Sequence, residues 1–283
     1  MNEFPRTMVG GISLSRMIIG SNWLLGYSHQ SQAKDIFLKS YHDAKRIADV
    51  LEVFLRAGVD AAMGWLNVNP MFVTAIRDAQ DRVGRPITII DTPSIPMAEG
   101  NIDYEDAARV LDQSVADGAT FFLPHQSTTD ILVDRGKRVI RGMDRLSVMI
   151  RERGMIPGLS THMPESVVYA DESGVDVETY VQIYNSAGFL MQLEVEWVHK
   201  IIHSAKKPVM TIKPMAAGRL SPLVGFAFSW NTIRDQDMVI VGAMTPDEAK
   251  EDVELSLSML ERRAPGLTLQ RTRSKAAVES SPR

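Results

Sequence analysis

Residues 118–127 read GATFFLPHQS: a glycine stop, a short apolar β-forming run, a proline and a histidine. The pattern is that of a buried strand opening onto a polar loop. It recurs along the chain, and each time an ionisable or amide residue stands at or just past the apolar run: Asp60, Asp91, His125, His162, Asn185 and Lys213. Between these runs lie stretches with helical periodicity. Residues 43–56, for example, place Ile47, Val50, Leu51 and Phe54 on one face before Gly58. Alternating strands and helices of this kind build a parallel sheet from βα units, and eight of them close a (β/α)8 TIM barrel.

Working outward, strands are expected at Met17–Gly20 (MIIG), 59–63, 86–90 (PITII), 120–123, 156–160, 180–184, 208–212 and Met238–Val241 (MVIV). A short N-terminal hairpin precedes the first and could plug the barrel floor. The loop SNWLLGYSHQSQ at 21–32 is long for a βα connection and is a candidate lid or site wall. Residues 135–153 read as one long charged helix with a solvated outer face. Thr245-Pro246-Asp247-Glu248 marks a helix start, with a capping threonine, proline at the first helical position and glutamate at the third. No linker interrupts residues 10–263, so the barrel is expected to occupy 1–263 as one domain. Residues 264–283 form a basic, Ser- and Pro-containing tail expected to be disordered.

The 283 residues carry a formal charge of −4, which gives no electrostatic footprint for nucleic acid or an anionic membrane. No apolar stretch is long enough to span a bilayer, and the start lacks a signal-peptide pattern. A cytoplasmic protein acting on a small molecule is the default expectation, and the Leu/Met-rich outer helices leave room for a homo-oligomer. There is no cysteine, so thiolate chemistry, disulfides and iron–sulfur clusters are excluded.

In a barrel the catalytic groups collect at the C-terminal ends of the strands. His125 is the leading candidate acid, base or ligand, and His162 stands at the equivalent place one strand later. Asp91 joins them in one reading as a two-histidine, one-carboxylate metal set suited to Zn, Fe or Mn. The other reading has Asp91 capping its own turn. Lys213 is a candidate anion holder, Schiff-base nucleophile or partner of a carboxylate, with Gly218, Arg219, Gly242 and Thr245 supplying phosphate-binding loops. Asp60 either points into the barrel as a catalytic group or caps its turn, and Asn185 could donate to a substrate oxygen.

Several stretches resemble the aldo/keto reductase superfamily, whose members are barrels using NADPH. MVGGISLSRMIIGSN looks like that family's opening hairpin and first strand, and ATFFLPHQ like the strand ending in its catalytic histidine, here His125. In MIPGLSTH, Ser160 and Thr161 fall where the nicotinamide amide is contacted, and in VQIYN, Gln182 falls near a cofactor-binding glutamine. KPMAAGRLSP and MVIVGAMTPDEAKEDV are similar to the closing cofactor loops. The resemblance implies an NADP-dependent oxidoreductase, but the family's Asp–Tyr–Lys–His set is not matched. The second strand reads AGVDAAMGWLN, and Asp91 replaces the activating lysine. The chain is therefore expected to be a barrel enzyme with a non-standard active site, acting on a small carbonyl or anionic metabolite. The alternatives are a metal-dependent lyase, isomerase or hydrolase, and a ligand-binding barrel without turnover.

Overall fold

The computed structural model describes residues 3–267 and 272–279. Eight parallel strands form the barrel: β1 (Met17–Gly20), β2 (Ala61–Gly64), β3 (Thr88–Asp91), β4 (Phe121–Phe122), β5 (Ile156–Pro157 and Leu159–Ser160), β6 (Tyr180–Ile183), β7 (Val209–Ile212) and β8 (Met238–Val241). β8 pairs back onto β1, with Ile240 opposite Ile18. β5 closes the ring with its first half on β4 and its second half on β6. Gly158 separates the halves, and a Cβ there would meet Leu123 Cγ at 2.8 Å and the Thr179 carbonyl oxygen at 3.0 Å. The change of partner therefore happens where no side chain fits.

Strands covered on both faces are mostly apolar. Ile18, Ile90, Phe121, Met210 and Met238 fill the barrel interior, while their neighbours Ile19, Ile89, Phe122, Val209 and Val239 pack against the helices. The hairpin Arg6–Val9/Ile12–Ser15 contributes Val9 and Leu14 to the interior cluster and so plugs the floor, as its position suggested. The outer layer is α1 (Ala44–Arg56), α2 (Pro70–Val83), α3 (Tyr104–Ala116), α4 (Met143–Glu152), α5 (Glu165–Ser173), α6 (Val195–Ser204), α7 (Pro222–Thr232) and α8 (Pro246–Leu260). Among the described residues, no helix is long and apolar enough to cross a membrane.

The long helix expected over residues 135–153 is not formed over its first half. Val133–Asp134 and Val139–Ile140 make a small hairpin instead, and α4 begins only at Met143. Gly142 takes φ +70°, a left-handed turn where a side chain would strike the Tyr104 hydroxyl, and Arg138 also has φ +56°. Of the tail, residues 268–271 and 280–283 lie outside the described residues, and Arg273–Glu279 is helical.

Charges at the N-terminal ends of the strands are paired. Asp60, just before β2, accepts from Arg6 at 2.7 Å and Arg85 at 3.1 Å. Asp237, fully buried before β8, accepts from the Val209 N–H at 2.8 Å and from the Arg234 guanidinium at 2.7 and 2.8 Å.

Candidate functional site

At the opposite end, the C-terminal ends of the strands surround a cavity of ≈ 1080 Å³. Its base is Met63, Ser160, Ile212 and Ile240, and the 21–32 loop forms one wall through Trp23, Tyr27 and His29. The long β1 loop thus lines this cavity.

Lys213 follows β7 into this cavity. Its backbone is left-handed, with φ +61°, which is uncommon for a non-glycine residue and more so before a proline. Ala216 and Ala217 continue the departure at φ +49° and +55°, and the Ala216 N–H closes the turn on the Lys213 carbonyl at 2.9 Å. Such strain costs of order 1–3 kcal/mol per residue and collects at functional sites. The Lys213 ammonium is half-buried and lies 3.4 Å from His29 Nε2. Among the described residues it has no carboxylate ion-pair partner, and burial lowers its pKa to about 8.

Three imidazoles share the cavity with it. His29 Nδ1 lies 3.1 Å from the Tyr27 carbonyl, which can only accept, so in the neutral ring the proton sits on Nδ1 and Nε2 carries the lone pair facing Lys213. His125 caps the short helix Gln126–Leu132, its Nδ1 accepting from the Ser127 N–H at 3.3 Å, which leaves the proton of the neutral ring on Nε2. The ring stacks on Trp65 at 5.6 Å. His162 follows β5, and its backbone N–H donates to the Asp130 carboxylate at 3.2 Å. All three are held below the usual histidine range, first by desolvation at the cavity wall and then by the nearby Lys213 charge; for His162 the pKa falls to about 4. Asp35 pulls weakly the other way on His29, but its Oδ1 is occupied by the Ser28 N–H at 2.8 Å and hydroxyl at 2.5 Å. The part of the mouth around Lys213 is therefore nitrogen-rich, positive charge is disfavoured there, and among the described residues no carboxylate pairs with the lysine.

Other sequence candidates are placed elsewhere. Asp91 ends β3 but, since Ile90 points inward, it turns out toward the helices. There it accepts from the Leu66 N–H at 3.0 Å and the Ser114 hydroxyl at 2.6 Å on α3, and burial raises its pKa to about 6. The metal set Asp91, His125 and His162 is consequently not assembled, and among the described residues no three His, Asp or Glu side chains are arranged to hold a metal. Asp60 is on the barrel floor, at the wrong end for the site, because it precedes its strand rather than following it. Asn185 brackets Phe189, accepting from its N–H at 2.8 Å and donating to its carbonyl at 3.1 Å, so it ties down a loop. Gln182 and Thr161 are fully buried and do not line the cavity. Thr161 donates to Asp130 at 2.7 Å, and Gln182 Oε1 is buried without a partner.

Of the expected cofactor residues, Ser160, Gly218, Arg219 and Gly242 do line the cavity. The Arg219 guanidinium stacks on Phe189 at 4.0 Å. Thr245 caps α8 as its motif suggests, accepting from the Glu248 N–H at 3.2 Å, while the Glu248 carboxylate takes the Met244 N–H at 2.6 Å. Glu248, Glu251 and Asp252 face the cavity at this end, and Asp252 is pushed up to about 8 by burial and by its two acidic neighbours. At the helix start expected to receive phosphate, two backbone donors are thus taken by the protein's own oxygens.

Sequence reasoning missed His29 and Trp65. The first lies in a loop with φ +56°, so nothing in its spacing ties it to Lys213; the second reads as packing.

No family model matches the chain, and no curated protein matches it. Solved structures do. A Pseudomonas aeruginosa protein described as an aldo-keto reductase aligns with TM-score 0.65 at 15% identity, over 92% of this chain and 99% of its own. Aldose reductase from Giardia lamblia aligns with TM-score 0.53 at 12% identity, over 98% and 92%. Orotidine 5'-monophosphate decarboxylase from Methanocaldococcus jannaschii aligns with TM-score 0.50 at 14% identity, over 89% and 99%. The fold is an aldo-keto-reductase-like TIM barrel. At these identities the likeness extends to the fold and no further.

Proposed function

We propose that this barrel is an enzyme acting on a small anionic carbonyl compound, held at its mouth by Lys213 and handled by the imidazoles of His29, His125 and His162. The observation that carries the reading is the gathering of these four nitrogen bases in one cavity with, among the described residues, no carboxylate ion pair on the lysine. Lys213 supplies charge for a carboxylate or phosphate group. Nitrogens kept neutral near pH 7 supply proton donors and acceptors for chemistry beside a carbonyl. Trp65 stacks on His125, and the largely apolar base lies beneath these groups.

The NADP implied by the resemblance fits this mouth poorly. Glu248 and Glu251 would stand against phosphate at the start of α8, where two of the donors are already taken. No step is therefore assigned to hydride transfer.

Calorimetric titration with pyruvate and with its uncharged methyl ester tests the reading. Pyruvate is expected to bind about ten-fold or more tightly than the ester, the ~1.4 kcal/mol of one charge-assisted contact. Equal affinity for the two, or none for either, would sink the proposal.

A further inference from the structure

Lys213 holds its charge at pH 7 but stands where the neutral amine is within easy reach. It is half-buried in a cavity whose base includes Ile212 and Met63, and it has no counter-ion among the described residues. The hydrogen-bond neighbour of Nζ is the lone pair of His29 Nε2, at 3.4 Å, in a ring whose other nitrogen is fixed by Tyr27. The backbone that aims the lysine is strained at φ +61°, where an ordinary surface lysine would relax. Desolvation beside a base is the arrangement that turns an ammonium into a nucleophilic amine.

We infer that Lys213 forms an imine with the carbonyl carbon of the bound substrate, with His29 as the base that takes the proton released from its nitrogen. This rests on the anionic-carbonyl reading above and names the chemistry of that same site. The neutral Nζ adds to the carbonyl carbon, and the C=O π pair moves to oxygen, which gains a proton. His29 Nε2 removes one proton from nitrogen and returns it to the hydroxyl of the carbinolamine. That hydroxyl leaves as water while the nitrogen lone pair forms the C=N bond. One amine, one carbonyl compound and the one proton that solvent gives to the oxygen yield one protonated imine and one water, and nothing is oxidised or reduced. The substrate class is a small 2-oxo acid or an oxo compound of similar charge. The resulting iminium is an electron sink beside His125 and His162, which suits bond making or breaking at the adjacent carbon.

The experiment is competitive labelling of the intact protein at pH 7 with pyruvate and cyanoborohydride, stopped at low conversion and mapped by peptide mass spectrometry. Reduction converts an imine into a stable carboxyethyl group on Nζ, and the exposed Lys45 and Lys137 serve as internal references. Lys213 is expected to be labelled at least ten-fold faster than either, and about ten-fold more slowly in His29→Gln than in wild type. Labelling of Lys213 no faster than Lys45 overturns the inference, and an unchanged rate in His29→Gln overturns the role of His29. If pyruvate binds in preference to its methyl ester but Lys213 is not preferentially labelled, the imine falls and the anion site stands. If neither is observed, both fall.

Discussion

At the floor of the barrel, Asp60 sits between Arg6 and Arg85, and Asp237 is surrounded by Arg234 and the Val209 N–H. At the mouth, Lys213 meets the lone pair of a histidine and, among the described residues, no carboxylate, and two further imidazoles are kept short of protons. The same sheet carries both ends, so the contrast does not come from the strands. It comes from the segments before and after them. Charged groups at the floor are consumed by one another and lock the hairpin and loops in place. Groups at the mouth are left with unmet bonding capacity, which costs stability and is available to a ligand.

The largest expected effect lies at the floor. Asp237→Ala would take the buried carboxylate away from the half-buried Arg234 and the Val209 N–H, at a cost of about 3 kcal/mol in urea denaturation. A loss below about 1 kcal/mol would mean the floor network is ornamental. Lys213→Met should act in the reverse sense on stability while removing pyruvate affinity by about ten-fold or more. Its folded pKa is lowered to about 8 from 10.5, so below pH 8 the folded state carries a charge it disfavours. That penalty is full at pH 7 and disappears as pH rises from 8 toward 10.5. After discounting for solvent at the mouth we expect a gain of about 1 kcal/mol at pH 7, a rise in Tm of roughly 2–4 °C. A fall in Tm would contradict it.

A carboxylate that cannot form an imine isolates the charge. Propionate affinity should fall as pH rises through about 8, as Lys213 loses its proton. Across that window His29, His125 and His162 are already neutral and Asp35 is already ionised, but Asp252 at the α8 end of the same cavity also titrates near 8, so the part of the slope that belongs to Lys213 is the part that Lys213→Met abolishes. A flat profile from pH 7 to 9 would remove Lys213 from the site. The smallest effect is expected at Asp91. Asp91→Asn should leave pyruvate affinity within about two-fold and lower stability by about 1 kcal/mol, through the weakened Ser114 bond. A large loss of binding would return Asp91 to the mouth.

The barrel was legible because its strands are apolar on both faces and bounded by turns; β1 and β8 fall at the residues read from MIIG and MVIV. The failure at 135–142 has a local cause, since a charged stretch with helical composition yields to a left-handed turn at Gly142. At the site, His125, His162 and Lys213 were visible because they directly follow strands. Asp91 also ends one, but strand alternation sends it outward once Ile90 points in, and one residue of register separates a ligand from a helix tie. His29 was illegible in principle, because a loop residue is brought to its partner by the folded path of the loop and not by any periodicity.

Whether the mouth holds an anionic carbonyl compound through Lys213 is tested most directly by calorimetric titration of wild type and Lys213→Met with pyruvate at pH 7. Binding by wild type that is weakened about ten-fold or more in a folded Lys213→Met protein is the predicted result. Equal binding by the two proteins would contradict it.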